Sequence, residues 1–406
     1  MRIGRGLFMA GLVAALAVTT ACGSDSGGAA PTQPKVDPSQ LDVGNLATKP
    51  KEYGKPTSLD QARAVVAMRM GNYVPLPMDI IGEVKHPPPA TSGAIRLFID
   101  YGSGAIKGRM KADTQRLSDT APGLISGFVS AGRSSDKPTV SYELENLVML
   151  FNTEQDATRA ADAMATAEAD TSPDYESVSI GKFPAAHVLT TKDQHWQFRS
   201  WAATGRYVIF TYIYDSLLGE LKEQDTSKMV ARVEKSIETV SARMKDFSAP
   251  APDKLMDQDI DLDGMLARAL PTVTDDQAQR GIPGVYDRHG GLQLSGDPGA
   301  DAKLFEETGV DRISWKGNLL YRAKDAAAAQ RIAAEHSKPS KLFRRVEPPK
   351  NLPFAHCREY IGGQAAAIKY YCTVSYDRYA ADVDANQLAD VHQRTSAQYA
   401  ILANSK

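Results

Sequence analysis

The chain has 406 residues, of which 42% are hydrophobic, and its 47 basic side chains nearly balance its 49 acidic ones. This length and apolar content are enough for two ordinary domains, each with its own core. Because the net charge is small and no long run of one sign occurs, we expect no nucleic-acid or other polyanionic partner.

The N-terminus has the pattern of a bacterial lipoprotein signal. Two arginines precede an apolar and small-residue run over residues 7–18, and small residues lead to Cys22. The apolar run is about half the ~20 residues of a permanent transmembrane helix, so we predict that residues 1–21 are a cleaved signal peptide. Cys22 would then carry acyl chains that hold the protein on the outer face of the cell membrane. Thr19 stands where such signals usually have Leu or Val, so a plain cleaved signal stays as the alternative.

Composition also predicts the domain layout. Residues 22–36 are rich in Gly, Ser and Pro and are typical of a flexible tether. Residues 247–256 begin Phe-Ser-Ala-Pro-Ala-Pro and predict a linker. We therefore expect an N-terminal domain over residues 37–246 and a C-terminal domain over residues 257–406.

The two predicted domains share one order of features. In each, a short apolar strand leads into an Ala-rich helix, a meander of about three strands and a closing amphipathic helix. The paired segments are residues 146–151 with 317–321, 183–187 with 352–356, 204–207 with 376–379, and 227–244 with 386–402. The order predicts an α+β fold of two related domains, each an antiparallel sheet with helices packed on one face.

The parts upstream of these segments are less similar. Ser58 is a suitable N-cap for a helix that runs to Met70, and residues 263–270 are the candidate matching helix. Between residues 74 and about 134, prolines at positions 75, 77 and 87–89 interrupt the pattern, and we interpret this stretch as an irregular enlargement of the first domain.

Besides Cys22, the chain contains Cys357 and Cys372. Two thiols in an oxidising compartment are expected to pair, and two strands around Gly362-Gly363 would bring them together. A redox-active pair is the alternative, but the spacing is not C-x-x-C. We predict a structural disulfide.

Two motifs resemble ligand sites and fall short of them. The alternate aspartates of residues 257–264 resemble the start of a calcium loop, but the required glutamate position holds Leu270. We predict a solvated acidic lead-in, with Asp261 or Asp263 capping the next helix. In residues 102–108 the third glycine comes one residue late for a dinucleotide fingerprint, so we predict a β-turn. No metal or cofactor is predicted.

His187 and His356 recur at the same place in the two domains. A shared core contact explains this as well as a ligand or pH-sensing role does, and we favour the structural interpretation. The sequence contains no H-E-x-x-H, no G-x-S-x-G and no free cysteine for nucleophilic catalysis, so no catalytic residue is assigned. The alternating aromatics of residues 207–214 and Tyr370-Tyr371 predict strands with an exposed tyrosine face, where binding would be sought.

Residues 41–50 and the helix over residues 61–70 resemble actinobacterial cell-envelope lipoproteins, such as those of mycobacteria and nocardiae. That family is catalogued as a domain of unknown function with a separate C-terminal domain. The resemblance implies an envelope location and gives no reaction or ligand.

The leading hypothesis is a non-enzymatic envelope lipoprotein that binds a ligand, lipid or protein, with the cleft between the paired domains as the place to look. The alternatives are an envelope hydrolase with an unrecognised active site and a structural or scaffolding surface protein.

Overall fold

The computed structural model describes residues 34–88, 96–271, 284–363 and 368–405. Val36–Lys406 forms one compact unit, separate from Met1–Lys35. The predicted signal peptide and Cys22 lie outside the described residues. Within the described ranges, no helix has both the length and the apolar character needed to cross a membrane.

The first half of the chain contains the sheet of strands β1 to β7 and the helices α1 to α7. The helices are α1 (Leu59–Met70), α2 (Pro77–Ile80), α3 (Gly104–Lys107), α4 (Thr114–Thr120), α5 (Glu154–Ala169), α6 (Ser216–Leu221) and α7 (Thr226–Met244). The strands are β1 (Leu97–Phe98), β2 (Leu124–Arg133), β3 (Tyr142–Phe151), β4 (Tyr175–Ser177), β5 (His187–Thr191), β6 (Gln194–Thr204) and β7 (Tyr207–Asp215).

The second half repeats this plan with shorter elements. Its helices are α8 (Arg288–Leu292), α9 (Pro298–Thr308), α10 (Ala326–His336) and α11 (Leu388–Ala403). Its strands are β8 (Gly284–Tyr286), β9 (Arg312–Trp315), β10 (Leu319–Arg322), β11 (Phe343–Val346), β12 (His356–Tyr360), β13 (Tyr370–Tyr376) and β14 (Tyr379–Ala385). Three 3-10 helices, Pro38–Gln40, Pro138–Val140 and Pro252–Asp257, complete the described elements.

Both sheets are antiparallel and have the same strand order. The first runs β1-β2-β3-β7-β6-β5-β4, and the second runs β8-β9-β10-β14-β13-β12-β11. The α+β class with two antiparallel sheets is therefore confirmed. The pairing register of the two sheets also agrees. His187 pairs with Trp201, and His356 pairs with Thr373. Trp201 and Thr373 lie the same number of residues before the β6–β7 turn and the β13–β14 turn, respectively.

Helices cover both faces of each sheet rather than one. On β3, Leu144 and Val148 belong to a core that also contains α7, whereas Leu147 and Met149 belong to a second core that contains α5. On β10, Leu320 belongs to the core that contains α7, whereas Tyr321 belongs to a separate core that contains α10. A strand that is buried on both faces reads as a continuous apolar run, which is the pattern of residues 146–151.

Helix α1 is central to the molecule. It contacts β2 of the first sheet and β8 of the second, and it packs against the 3-10 helix Pro252–Asp257 in the predicted linker. Seven of its twelve residues are buried, so its apolar residues do not form a single stripe. Ser58 is its N-cap, as predicted, and accepts a hydrogen bond from Gln61 N (3.2 Å).

Three local predictions are wrong. Residues 263–270 form turns and not a helix, because the Asp261 carboxylate binds the backbone amides of Leu266 (2.8 Å) and Ala267 (2.9 Å). The stretch predicted as irregular contains the buried ten-residue strand β2. Residues 102–108 contain the helical turn α3, since Ser103 Oγ accepts from Ala105 N (3.2 Å).

Candidate functional site

An open cleft of about 470 Å³ lies between the two halves. Helix α2 of the first half forms one wall, and α8, α9 and the end of the α9–β9 loop form the other. The lining has an apolar part (Leu76, Met78, Leu292, Ala302, Val310) and a polar part (Asp79, Asp287, Arg288, His289, Glu306, Asp311). Its volume is within the range of about 300–1,000 Å³ that small-molecule sites occupy.

The position of Asp79 follows from the local sequence. Pro77 occupies the first position of α2, where the missing N–H costs nothing. Asp79 is the third helical residue, and its Oδ2 accepts a hydrogen bond from Leu76 N (2.9 Å). The carboxylate is thereby fixed at the helix start, where it faces the second half.

Asp79 and His289 connect the two halves across the cleft. His289 Nε2 lies 2.8 Å from Asp79 Oδ2, and His289 Nδ1 lies 3.1 Å from the carbonyl oxygen of Asn72. Both ring nitrogens of His289 therefore lie within hydrogen-bond distance of an oxygen atom of the first half. Burial raises the pKa of Asp79, but the hydrogen bond and charge of His289 outweigh it and bring the pKa below its usual value.

Two charged groups of the cleft are available to a ligand. Arg288 Nε donates to the carbonyl of Val310 (2.8 Å), and the rest of its guanidinium has no protein partner among the described residues. Glu306 is exposed and forms no ion pair in the described parts of the chain. In contrast, Asp287 caps α8 and Asp311 binds Arg322 (2.8 Å). The cleft therefore combines an apolar surface with one available cation and one available anion.

A second candidate site is a chain of polar groups in the second half. Ser295 Oγ donates to Asp301 (2.5 Å), whose other oxygen lies 3.2 Å from His336 Nε2. His336 Nδ1 lies 2.8 Å from Asp382 Oδ2, which also accepts from the Tyr321 hydroxyl (3.0 Å). Burial lowers the pKa of His336, but the charges and hydrogen bonds of the two aspartates raise it to about 10.

The first half has apolar residues where this polar chain lies. Thr373 pairs with Asp382 at the register where Trp201 pairs with Phe210, and those two rings pack with centroids 5.2 Å apart. The fold itself therefore does not require charge at this place. A cavity of about 60 Å³ adjoins His336 and Asp382, and the buried Asp382 Oδ1 has no hydrogen-bond partner among the described residues.

Cys357 and Cys372 form a disulfide, as the sequence predicts. They are directly opposed on β12 and β13, with their Cα atoms 4.1 Å apart. His392 has a ring nitrogen within 4.8 Å of both sulfur atoms, but bonded sulfurs are not thiolate ligands. Cys22 stays a prediction, since it lies outside the described residues.

The repeated histidines share a backbone register and not a set of contacts. His187 is exposed and lies 2.7 Å from Asp162 Oδ1. His356 is half-buried, and burial together with the charge of Arg345 lowers its pKa. The two side chains do not form a common site.

The aspartates of residues 257–264 diverge. Asp259 pairs with Lys55 (2.6 Å), Asp261 binds backbone amides, and Asp263 pairs with Arg312 (2.9 Å). Their oxygens do not converge on one point, so they do not form a calcium site.

The predicted exposed tyrosine face is not present. Its residues Tyr207, Tyr212, Tyr214, Tyr370 and Tyr371 are all partly buried. Burial raises the pKa of Tyr207 to about 12, although the charge of Arg206 opposes the change.

Sequence reasoning missed Asp79, Arg288, His289, His336 and Asp382. None of them belongs to a spaced motif. The one local signal is the proline pair at Pro75 and Pro77, which places a polar residue at the start of a short helix.

The fold and the cleft define a class: a two-part α+β protein in which one sheet topology occurs twice around a shared core. The chain belongs to the family described as the domain of unknown function DUF7373. Its N-terminal part matches residues 53–260 and its C-terminal part matches residues 265–405. The two-part family of unknown function expected from the resemblance is thus confirmed. Among curated proteins, none matches this chain.

Proposed function

We propose that this protein is a lipid-anchored, extracytoplasmic binding protein that holds a small amphipathic molecule in the cleft between its halves. The observation that carries the proposal is the cleft itself, with apolar side chains beside Arg288 and Glu306. An apolar part of the ligand would contact Leu76, Leu292 and Val310, and a polar end would bind the charged groups.

Most polar groups of the lining are already used in contacts within the protein. Asp79 binds His289, Asp287 caps α8, and Asp311 binds Arg322. Both ring nitrogens of His289 are engaged within the protein, one by Asp79 and the other by the Asn72 carbonyl.

The ligand proposal is tested with membrane-extracted protein in native mass spectrometry. Glu306 is exposed on α9 and lines the cleft, so Glu306→Trp should obstruct the site without disturbing the core. We expect co-purified ligand on the wild type and about tenfold weaker occupancy in this variant, equivalent to ~1.4 kcal/mol. Lys303→Trp, exposed on the same helix outside the lining, is the matched control and should keep the ligand. Equal occupancy in both variants, or no adduct on the wild type, would contradict the proposal.

Anchoring is proposed from the signal pattern, the tether and the resemblance to actinobacterial envelope lipoproteins, with Cys22 as the acylated residue. Cys22→Ser should remove the acyl mass and release the protein from the membrane fraction, because one or two acyl chains supply the attachment. Unchanged mass and unchanged membrane retention would show that Cys22 is not the anchor.

A further inference from the structure

The second half has a helix that is too short to cover its sheet. Helix α5 has 16 residues, whereas its counterpart α10 has 11 and ends at His336. In the first half the extra turns of α5 carry Glu168, which is buried and binds the Tyr175 hydroxyl of the edge strand β4 (2.9 Å). In the described part of the second half no helical turn lies over β11 and β12, and Lys341, Leu342, Arg345 and Ile361 of that edge are exposed.

Basic and apolar side chains line this edge on both faces of the sheet, because neighbouring residues of a strand point to opposite faces. Ile361 N donates to the Leu342 carbonyl (2.8 Å), and both side chains are exposed, at 48% and 51%. The Arg358 guanidinium lies 4.4 Å from the centre of the Phe343 ring, and Arg345 pairs with Arg358 across β11 and β12. Lys341 precedes Leu342 in the turn that opens β11. We call this surface the basic edge: Lys341, Leu342, Phe343, Arg345, Arg358 and Ile361.

The positive charge of this surface is only partly balanced by its neighbours, since Asp382 acts on Arg358. Glu359 is occupied by Arg344 (2.7 Å) and Lys369 (3.2 Å). Within the described ranges, Lys341 and Arg345 have no acidic partner. Exposed apolar side chains (Leu342 and Ile361) beside exposed basic ones (Lys341 and Arg345) are the composition that binds the interface of an anionic bilayer.

The start of the folded unit lies against the same half. Val36 N donates to the Tyr399 hydroxyl (3.2 Å) on α11, and the Gln40 carbonyl accepts from Asn351 (2.8 Å), five residues after β11 ends. About a dozen residues separate Cys22 from the described body, which is ~40 Å when fully extended. A lipid on Cys22 would therefore hold Val36, and with it this side of the second half, within ~40 Å of the bilayer.

We propose that the basic edge docks on the anionic lipid surface of the membrane that carries the protein. The proposal rests on the membrane location proposed above, and it concerns a surface distinct from the cleft. Docking of the basic edge would give the anchored protein a preferred orientation, with the second half against the bilayer. Without it the protein would turn freely on its tether.

The test uses a chain that begins at Pro34, which keeps the whole compact unit and removes the signal segment and Cys22. We expect it to sediment with phosphatidylcholine vesicles that contain phosphatidylglycerol, and not with phosphatidylcholine alone. The double variant K341E/R345E should bind at least about tenfold more weakly, because each basic residue near an anionic surface contributes to the attraction. Leu342→Ser with Ile361→Ser should also weaken binding, and added salt should reduce that of the wild type.

The matched control is K137E/K235E, which reverses two exposed lysines of the first half and should bind as the wild type does. Circular dichroism melting curves establish that each variant is folded. The proposal is overturned if the chain that begins at Pro34 does not sediment with anionic vesicles, or if K341E/R345E binds them as strongly as the control does. Dimers that dissociate in K341E/R345E without vesicle binding would assign the surface to a second copy instead. None of these outcomes depends on Cys22 acylation or on the cleft, so failure here is separable from failure of the proposed function.

Discussion

His336 shows how a buried charge is accommodated in this protein. Its ring is 14% exposed, and burying an imidazolium would be costly without partners. Asp301 and Asp382 supply one carboxylate to each ring nitrogen, and Ser295 and Tyr321 in turn donate to those carboxylates. The result is a connected network in which every member except Asp382 Oδ1 is satisfied.

The raised pKa of His336 predicts how stability depends on pH. Below about pH 6.5 the ring is protonated in both the folded and the unfolded chain, so the stabilisation from its partners is fully present. Between pH 6.5 and 10 only the folded chain holds the proton, so the free energy of unfolding should fall as pH rises, by on the order of a few kcal/mol. Denaturant titrations between pH 7 and 9.5 measure the slope.

The comparison variant is His336→Gln with Asp382→Asn, which replaces the charged pair with neutral hydrogen-bonding groups. Its stability should fall less steeply over the same pH range than that of the wild type. Identical slopes would mean that His336 is not the group responsible.

At the scale of elements, the second half is a reduced copy of the first. Its β10 has four residues where β3 has ten, and α10 is shorter than α5. Shorter elements bury less apolar surface and so contribute less to stability. The disulfide between Cys357 and Cys372 compensates by linking β12 to β13, next to the edge of the smaller sheet.

Removing this disulfide should destabilise the protein by ~3 kcal/mol, because the link closes a loop with a sequence separation of 15 residues. The first half shows which side chains can replace the two cysteines. At the strand positions equivalent to Cys357 and Cys372, it has Val188 opposite Ser200. Cys357→Val with Cys372→Ser therefore uses side chains that the topology already accepts. Denaturation with and without reductant, in a Cys22→Ser background, measures the effect. The wild-type pair should respond to reductant and the variant should not; a wild type that is insensitive to reductant would contradict the assignment.

At the scale of the whole molecule, the two sheets share one core. The largest cluster of buried side chains contains residues of α1, α7, α11 and both sheets. Met68 of α1 lies against Gly284 of β8 so closely that no side chain would fit at that glycine. Gln293 of the second half donates to the Val74 carbonyl (2.9 Å), and His289 binds Asp79. These contacts couple the folding of the halves.

We expect Val36–Lys406 to unfold in a single transition. Met68→Ala should lower the hydrogen-exchange protection of both sheets by the same free energy, about 2–5 kcal/mol, because it creates a cavity in the shared core. Leu221→Ala, at an exposed apolar position, is the control and should change neither sheet. Loss of protection confined to one sheet would show that the halves unfold independently.

Periodicity made much of the fold predictable. The paired segments 183–187 with 352–356 and 204–207 with 376–379 fall at equivalent registers, because turn residues and alternating apolar positions are local properties of the chain. The disulfide was predictable for a similar reason, since a hairpin brings its two strands together. The helical periodicity of residues 263–270 does not produce a helix, because the Asp261 carboxylate binds the amides that a helix would use.

The candidate sites could not be predicted in this way. Asp79 and His289 are 210 residues apart and belong to different halves, and His336 and Asp382 meet only because α10 crosses β14. Each is an isolated polar residue in the sequence, without a motif to mark it.

The sequence by itself determined the duplication, the α+β class, the disulfide and the expectation of a signal and tether, because these follow from local pattern and composition. Only the tertiary structure decided that helices cover both faces of each sheet and that α1 joins the halves. It also decided where the cleft lies. Beneath α10 of the second half it placed charged side chains, where the equivalent place in the first half has apolar ones. Those features depend on which distant segments come together, and packing of apolar surface, not local periodicity, determines that.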